Sequence, residues 1–263
     1  MSRWETRRWE RIGVEWAARR PQRTWRAHSD AVNRALLERW RLRPETRRLL
    51  KTDAFDEAFG EGLASWLAES EAARVVMIDV SRPTLEAAQA RSRAVTAVGG
   101  DARALPFRAG AFDAAVSLST LDHFATREEL ERGIEELARV LEPGAPLVIT
   151  LDNPGNPIVA IRNRLPQHWL RRSGLVPYPV GVTIGRHDLV AALERAGFAV
   201  REVRAILHGP RVLAVAAAAL VDWLGRSAPR RAFLRATGAF ERLGETPVRF
   251  RTGHFVAVRA ERR

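Results

Sequence analysis

Between residues 48 and 152 the chain repeats one rhythm, a short apolar run followed by a stretch with helical spacing. RRLLKTDAF, RVVMIDV (74–80), TAVGGDA (96–102), FDAAVSLS (112–119) and APLVITLD (145–152) are short and rich in Val, Leu, Ile and Phe, as strands are. GLASWLAES, residues 82–93 and residues 126–141 lie between them and read as helices. The last has Thr126 at the N-cap, Glu129 three positions on, and Glu142-Pro143-Gly144 to stop it. Strands that alternate with helices form parallel sheets covered on both faces. The expected fold is therefore α/β, an open, doubly wound, mostly parallel sheet.

The flanks follow other patterns. Residues 1–45 read as two or three helices. Trp9, Ile12 and Trp16 share one face of the first, and Ser29 or Asp30 is a candidate N-cap in HSDAVNRALLERW. Residues 153–185 hold five prolines and read as an irregular excursion with one short helix. HDLVAALERAGF resumes as a helix before a strand, AVREVRAIL. Helices at 211–225 and 230–243 precede a last strand, RTGHFVAVRA, making seven strands. The expected division is a helical cap over 1–45 and one domain over 46–263, in which 153–185 and 211–246 are insertions on the substrate side.

Composition removes several chemistries. With no cysteine there is no disulfide, thiolate metal site or cysteine nucleophile. His168, His187 and His254 show no metal-ligand spacing, so no metal is expected. Net charge is +12, but 42 of the 43 basic residues are arginines spread along the whole chain. A nucleic-acid footprint would cluster on one element with aromatics interleaved, so the pattern argues against that partner. The N-terminus alternates Arg, Glu and Trp without the apolar run of a secretory leader, and a cytoplasmic setting is expected. The longest apolar stretch, VLAVAAAALVDWL, is too short to span a bilayer, while a Trp-Arg helix leaves peripheral membrane contact open.

Ligands of such sheets sit beyond the carboxyl ends of the strands. There the chain places LLKTDAFDEAFGEG, whose glycines let backbone approach a ligand and whose following helix offers amide groups to an anion. Asp79 ends the second strand, Asp101 the third. The ordered series of glycine turn, acid in MIDV, GGDARALPF, FDAAVSLSTLDHF and ELARVLEPGAPLVIT resembles the class I S-adenosylmethionine-dependent methyltransferases, in particular the small-molecule group with a GDxxxLPF third-strand motif. The resemblance covers residues 48–152 well and 186–208 loosely.

It implies a Rossmann-like methyltransferase fold and S-adenosyl-L-methionine as cofactor. Carried over by position, the acidic-Gly-x-Gly-x-Gly pattern falls on Asp56, Ala58, Gly60 and Gly62, with alanine where glycine is usual. Asp79 takes the place of the ribose-binding acid and Ser81 follows it. Asp101 and Ala102 match the adenine contact, and Ser117 and Ser119 lie beside the methionine portion. Lys51, the chain's one lysine, departs from the pattern. It shares a strand face with Asp53. Either the two form an ion pair, with Lys51 neutralising the cofactor carboxylate and Asp53 or Asp56 receiving its amine, or the strand ends at Leu50 and they lie in a solvated loop.

A sulfonium methyl is already electrophilic, so alignment carries most of the catalysis, and a base is needed only for hydroxyl, phenol or acidic-carbon acceptors. His123 in STLDHF is the candidate base, with Asp122 to orient it. His208, Asp152 and Asn153 are further candidates near strand ends. The expected acceptor is a small molecule, with Trp169, Tyr178, Trp223 and Phe233 offering aromatic surface and the helix over 212–224 suiting an apolar substrate. Three rivals remain. A nicotinamide enzyme would need glycine at Ser65. A binding protein without chemistry would explain Ala58. An RNA methyltransferase would use the arginines but lacks an Asn-Pro-Pro-Tyr type motif after strand four.

Overall fold

A computed structural model describes residues 3–17, 22–42, 46–70, 74–91, 95–172 and 180–263. Two helices, α1 (Arg3–Ala17) and α2 (Arg23–Trp40), precede the sheet. The first half of the sheet is β1 (Arg48–Lys51), α3 (Phe55–Phe59), α4 (Ala64–Ser70), β2 (Arg74–Asp79), α5 (Arg82–Arg91) and β3 (Val95–Gly99). Then follow β4 (Ala114–Leu118), α6 (Arg127–Val140), β5 (Pro146–Asp152), α7 (Pro157–Arg164), α8 (Gln167–Arg172) and α9 (Arg186–Arg195). The chain ends with β6 (Phe198–His208), α10 (Arg211–Leu224), α11 (Ser227–Phe240), α12 (Arg249–Thr252) and β7 (Gly253–Arg262).

The strands form one sheet in the order β3-β2-β1-β4-β5-β7-β6. All neighbours are parallel except β7, which runs antiparallel to both β5 and β6. The doubly wound, mostly parallel seven-stranded fold is thus the one the alternation demands. Period-2 burial separates the two faces: Leu49, Val116 and Val148 pack with α2 and α4, while Leu50, Ala115 and Ile149 pack with α6 and α9. Because β6 is antiparallel to β7, its carboxyl end at His208 lies on the same sheet edge as the ends of β1, β4 and β5.

Several local expectations shift. Helix α2 begins at Arg23, so Ser29 and Asp30 lie inside it rather than at its cap. Thr126 does cap α6, its hydroxyl accepting from the Glu129 amide at 3.3 Å. Glu129 reaches back one residue further than a capping box requires, to the Ala125 amide at 2.9 Å. The 153–185 excursion contains two short helices, α7 and α8, where one was expected.

Candidate active site

The sheet's connections reverse direction between β1 and β4, which puts the ligand crevice of a doubly wound sheet at their carboxyl ends. Strand β1 runs through Lys51, and no glycine turn follows it directly. The five-residue helix α3 intervenes. Lys51 is buried, and its ammonium donates to the Asp53 carbonyl at 2.9 Å and to Glu57 Oε2 at 3.0 Å, with Asp53 Oδ2 at 3.1 Å. Burial opposes its charge, but the carboxylates of Asp53, Glu57 and Asp56 outweigh it and hold the amine above its ordinary pKa. The ion pair with Asp53 exists, and the loop reading fails because Lys51 is inside. Sequence reasoning missed Glu57, because a five-residue helix is too short to give a periodic signal.

Glu57 also changes the meaning of the glycines. Its Oε1 accepts from the amides of Leu63 and Ala64 at 3.0 and 3.1 Å, so part of the start of α4 is occupied by the chain's own carboxylate. Gly62 has φ +66°, and a Cβ there would stand 2.7 Å from Glu57. The glycine is required by Glu57. Asp56 lies on α3 and pairs with Arg26 of α2, Ala58 is buried in the core, and Gly60 packs beside Arg26.

Asp79 ends β2. Its oxygens accept from the Ser81 amide at 2.8 Å and the Ala54 amide at 3.2 Å, which leaves acceptor capacity on both. Burial raises its carboxyl to about 6. Ser81 is buried, its hydroxyl 2.8 Å from Thr84. Asp101 is held by Arg103, whose Nε and Nη2 lie 2.9 to 3.1 Å from its oxygens. Arg103 pairs with Glu129 as well and reaches Glu5 at 3.4 Å. Ala102 beside it is buried.

At the end of β4, Ser117 bonds Thr52 at 2.9 Å, and Ser119 adopts a positive φ of 50°. The Ser119 hydroxyl donates to Asp122 Oδ2 at 2.9 Å, and the Asp152 amide donates to the same oxygen at 3.1 Å. Asp122 Oδ1 is buried with no hydrogen-bond partner. Burial, reinforced by the charge of Asp152, raises this carboxyl to about 6. His123 is half-buried, its ring 5.2 Å from that of Trp9.

Helix α1 lies across all four strand ends. Trp16 meets Phe55 after β1 at 5.2 Å, Gly13 fits against Ser81 and Thr84 after β2, Glu5 reaches Arg103 after β3, and Trp9 meets His123 after β4. A Cβ on Gly13 would come within 2.8 Å of Thr84 Oγ1, so the small residue sets how closely this roof approaches. Trp9 and Trp16 face the domain.

The other candidates hold structure. His208 Nδ1 lies 2.8 Å from Thr252 Oγ1 and Nε2 lies 3.0 Å from the Ala205 carbonyl. Asp152 pairs with Arg162 at 2.6 Å and His254 at 3.3 Å, and Asn153 ties β5 to the carbonyls of Phe250 and Gly253. Trp169 and Trp223 are exposed, and Tyr178 lies outside the described residues. Phe233 lines a cavity of about 200 Å³ between α2, α10, α11 and the end of β6. Its walls are mainly apolar, including Trp25, Leu213, Ala217 and Phe240, with His28, His208, Arg211 and Thr237 as polar groups.

Strand order, a carboxylate with spare acceptors after β2 and a polar group of side chains after β4 are placed as expected for the class I methyltransferases that the sequence resembles. Residues 55–149 match the family described as a methyltransferase domain. Among curated proteins, the human probable tRNA methyltransferase 9B is 35% identical over 109 residues, 40% of this chain and 24% of that protein. The demethylmenaquinone methyltransferase of Thermus thermophilus is 40% identical over 119 residues, 42% of this chain and 53% of that protein. The chain thus spans about a quarter of the length of the first and about half of the second. Among solved structures, a geranyl diphosphate C-methyltransferase from Streptomyces coelicolor superposes with TM-score 0.58 at 15% identity, over 89% of this chain and 79% of that one.

Domains of this class use S-adenosylmethionine, which supplies an activated methyl group on a sulfonium. The residues fit it at two places: Asp79 retains acceptors for a sugar's hydroxyls, and Asp122 presents a buried oxygen without a donor. At the β1 end, Lys51 and Glu57 satisfy each other.

Proposed function

We propose that this protein transfers a methyl group from S-adenosylmethionine to a small-molecule acceptor with an apolar or aromatic body. Asp79 would hold the ribose, with Ser81, Asp101, Ala102, Ser117 and Ser119 around the nucleoside and methionine portions, and Gly62 and Glu57 shaping the wall beside them. Asp56, Ala58 and Gly60 would act one layer further out, through α3. His123 would take a proton from the acceptor where the chemistry requires one. The helical cap over 1–45 and the segments 153–185 and 211–246 would form the acceptor side, in a cytoplasmic setting.

The observation that carries the acceptor class is the apolar cavity at the carboxyl end of β6, on the same sheet edge as Asp79 and His123. A site lined by Trp25, Phe233 and Phe240 gains by removing apolar surface from water, and Arg211 is its one charged lining residue. A second reading is favoured by the likeness to proteins described as tRNA methyltransferases, namely that the acceptor is an RNA base. Incubation with methyl-labelled cofactor, a lipid extract and total tRNA separates these. Label in the organic phase supports the first reading, and label in the tRNA replaces it with the second. Measurable S-adenosylhomocysteine binding with label in neither leaves a binding protein without transfer.

A further inference from the structure

Helix α10 is turned the wrong way for an ordinary surface helix. Its polar side chains point inward: Asp222 accepts from the Thr24 amide at 3.1 Å and from its hydroxyl at 2.5 Å, and the Arg211 guanidinium lies over the ring of Trp25. Its outer face is apolar. Leu213 is 68% exposed, Leu220 57% and Trp223 69%, with Val212 and Leu224 beside them and only alanines between. Residues 212, 216, 219, 220 and 223 fall on one side of the helix at 100° per residue, so these side chains form one continuous stripe. A patch of this kind marks an interaction surface.

Charge says what the partner is. Residues 211–240 carry five arginines, Arg211, Arg226, Arg230, Arg231 and Arg235, against the single acid Asp222. Arg226, Arg231 and Arg235 are exposed, on the turn and helix that pack antiparallel to α10. A second copy of this chain would bring arginines against arginines. A nucleic acid would gain nothing from leucine and alanine. An apolar face with a large aromatic, next to a turn and helix carrying exposed arginines, matches the interfacial zone of a bilayer with anionic headgroups. Helix α10 has 14 residues, too few to cross a bilayer, so it would lie in the plane of the surface.

We propose that the α10–α11 hairpin docks this protein on an anionic lipid surface, with Leu213, Leu220 and Trp223 in the headgroup boundary and Arg226, Arg231 and Arg235 on the phosphates. Leu213 belongs both to this exposed face and to the wall of the apolar cavity, which sets the cavity next to the docked face. An apolar molecule could pass from lipid to cavity without crossing water. Docking itself stands apart from methyl transfer and needs no acceptor to be known.

Flotation of the full chain with vesicles of phosphatidylcholine alone, or of phosphatidylcholine with about one-third phosphatidylglycerol, tests this. Binding to the anionic vesicles should exceed that to the neutral ones at least ~10-fold and fall with added salt. Leu220→Glu with Trp223→Glu should abolish it, and Arg231→Glu with Arg235→Glu should reduce it at least ~10-fold, both at exposed positions whose circular dichroism should match the parent. Failure of the parent to float with anionic vesicles overturns the proposal, as does equal flotation of the variants. A dimer in light scattering that Leu220→Glu with Trp223→Glu converts to monomer would show that a second copy covers the stripe, and overturns it equally.

Discussion

The Lys51 ammonium and the Glu57 carboxylate lie 3.0 Å apart, both buried, at the point where the parallel sheet hands over to its first helix. The same carboxylate accepts two amides at the start of α4 through its other oxygen, so one ion pair fixes β1, α3 and α4 relative to each other. Burying such a pair costs solvation, and what it contributes is mutual dependence.

Lys51→Met should therefore destabilise the fold by roughly 3–5 kcal/mol, because Glu57 and Asp53 lose their cation inside the protein. Adding Glu57→Gln should restore a good part of that loss. Urea unfolding of these two variants and of Glu57→Gln alone closes the cycle and gives the coupling. Equal stability of parent and Lys51→Met would mean that the pair is not formed in solution.

Asp79 sets a pH dependence. Its carboxyl titrates at about 6, and sugar hydroxyls donate to the ionised form. As pH falls through about 6 the acid takes up a proton and loses an acceptor, so S-adenosylhomocysteine affinity should drop. The limiting slope approaches about tenfold per pH unit below that value. Asp79→Asn should bind about 10- to 150-fold more weakly at pH 7.5, the equivalent of one charged hydrogen bond, and should lose the pH dependence. Calorimetry at several pH values measures both.

Helix α1 covers the strand ends where the cofactor is proposed to bind, so entry should require its displacement. Trp9→Ala with Glu5→Ala removes its contacts to His123 and Arg103. The association rate of S-adenosylhomocysteine should rise several-fold in surface plasmon resonance. An unchanged rate would show that entry does not pass under α1.

Thr126→Ala should cost about 1 kcal/mol of stability by leaving the Glu129 amide without its cap. The effect should be confined to unfolding midpoints, with cofactor affinity preserved, because the remainder of α6 is anchored by Leu130, Ile134 and Leu137 in the core.

Much of this was legible in the sequence. Apolar runs such as RVVMID and PLVITLD form strands because a run with both faces covered has few other stable fates, and their alternation with α5 and α6 dictates crossovers. Thr126 and the Pro143-Gly144 stop declare the ends of α6 through local chemistry alone. The Lys51–Asp53 pair was one of two readings the sequence allowed, and the structure decided for it although β1 ends at Lys51. The site was less legible. Asp56, Ala58 and Gly60 match a turn motif by spacing, yet lie on and just after α3, because five residues can form a helical turn without any periodic signature. Asp101 stands where an adenine contact is expected, and Arg103 two positions on occupies it.

The amino-acid order by itself determined the layered α/β sheet and its seven strands, because hydrophobic periodicity is local and each element carries its own pattern. Only the tertiary structure decided which polar groups are committed to one another: Glu57 to Lys51 and Gly62, Arg103 to Asp101, and α1 to the strand ends. Apart from Asp101 and Arg103, which are two positions apart, those pairings join residues distant in the chain or hidden in short elements, and they depend on distances that no local pattern records.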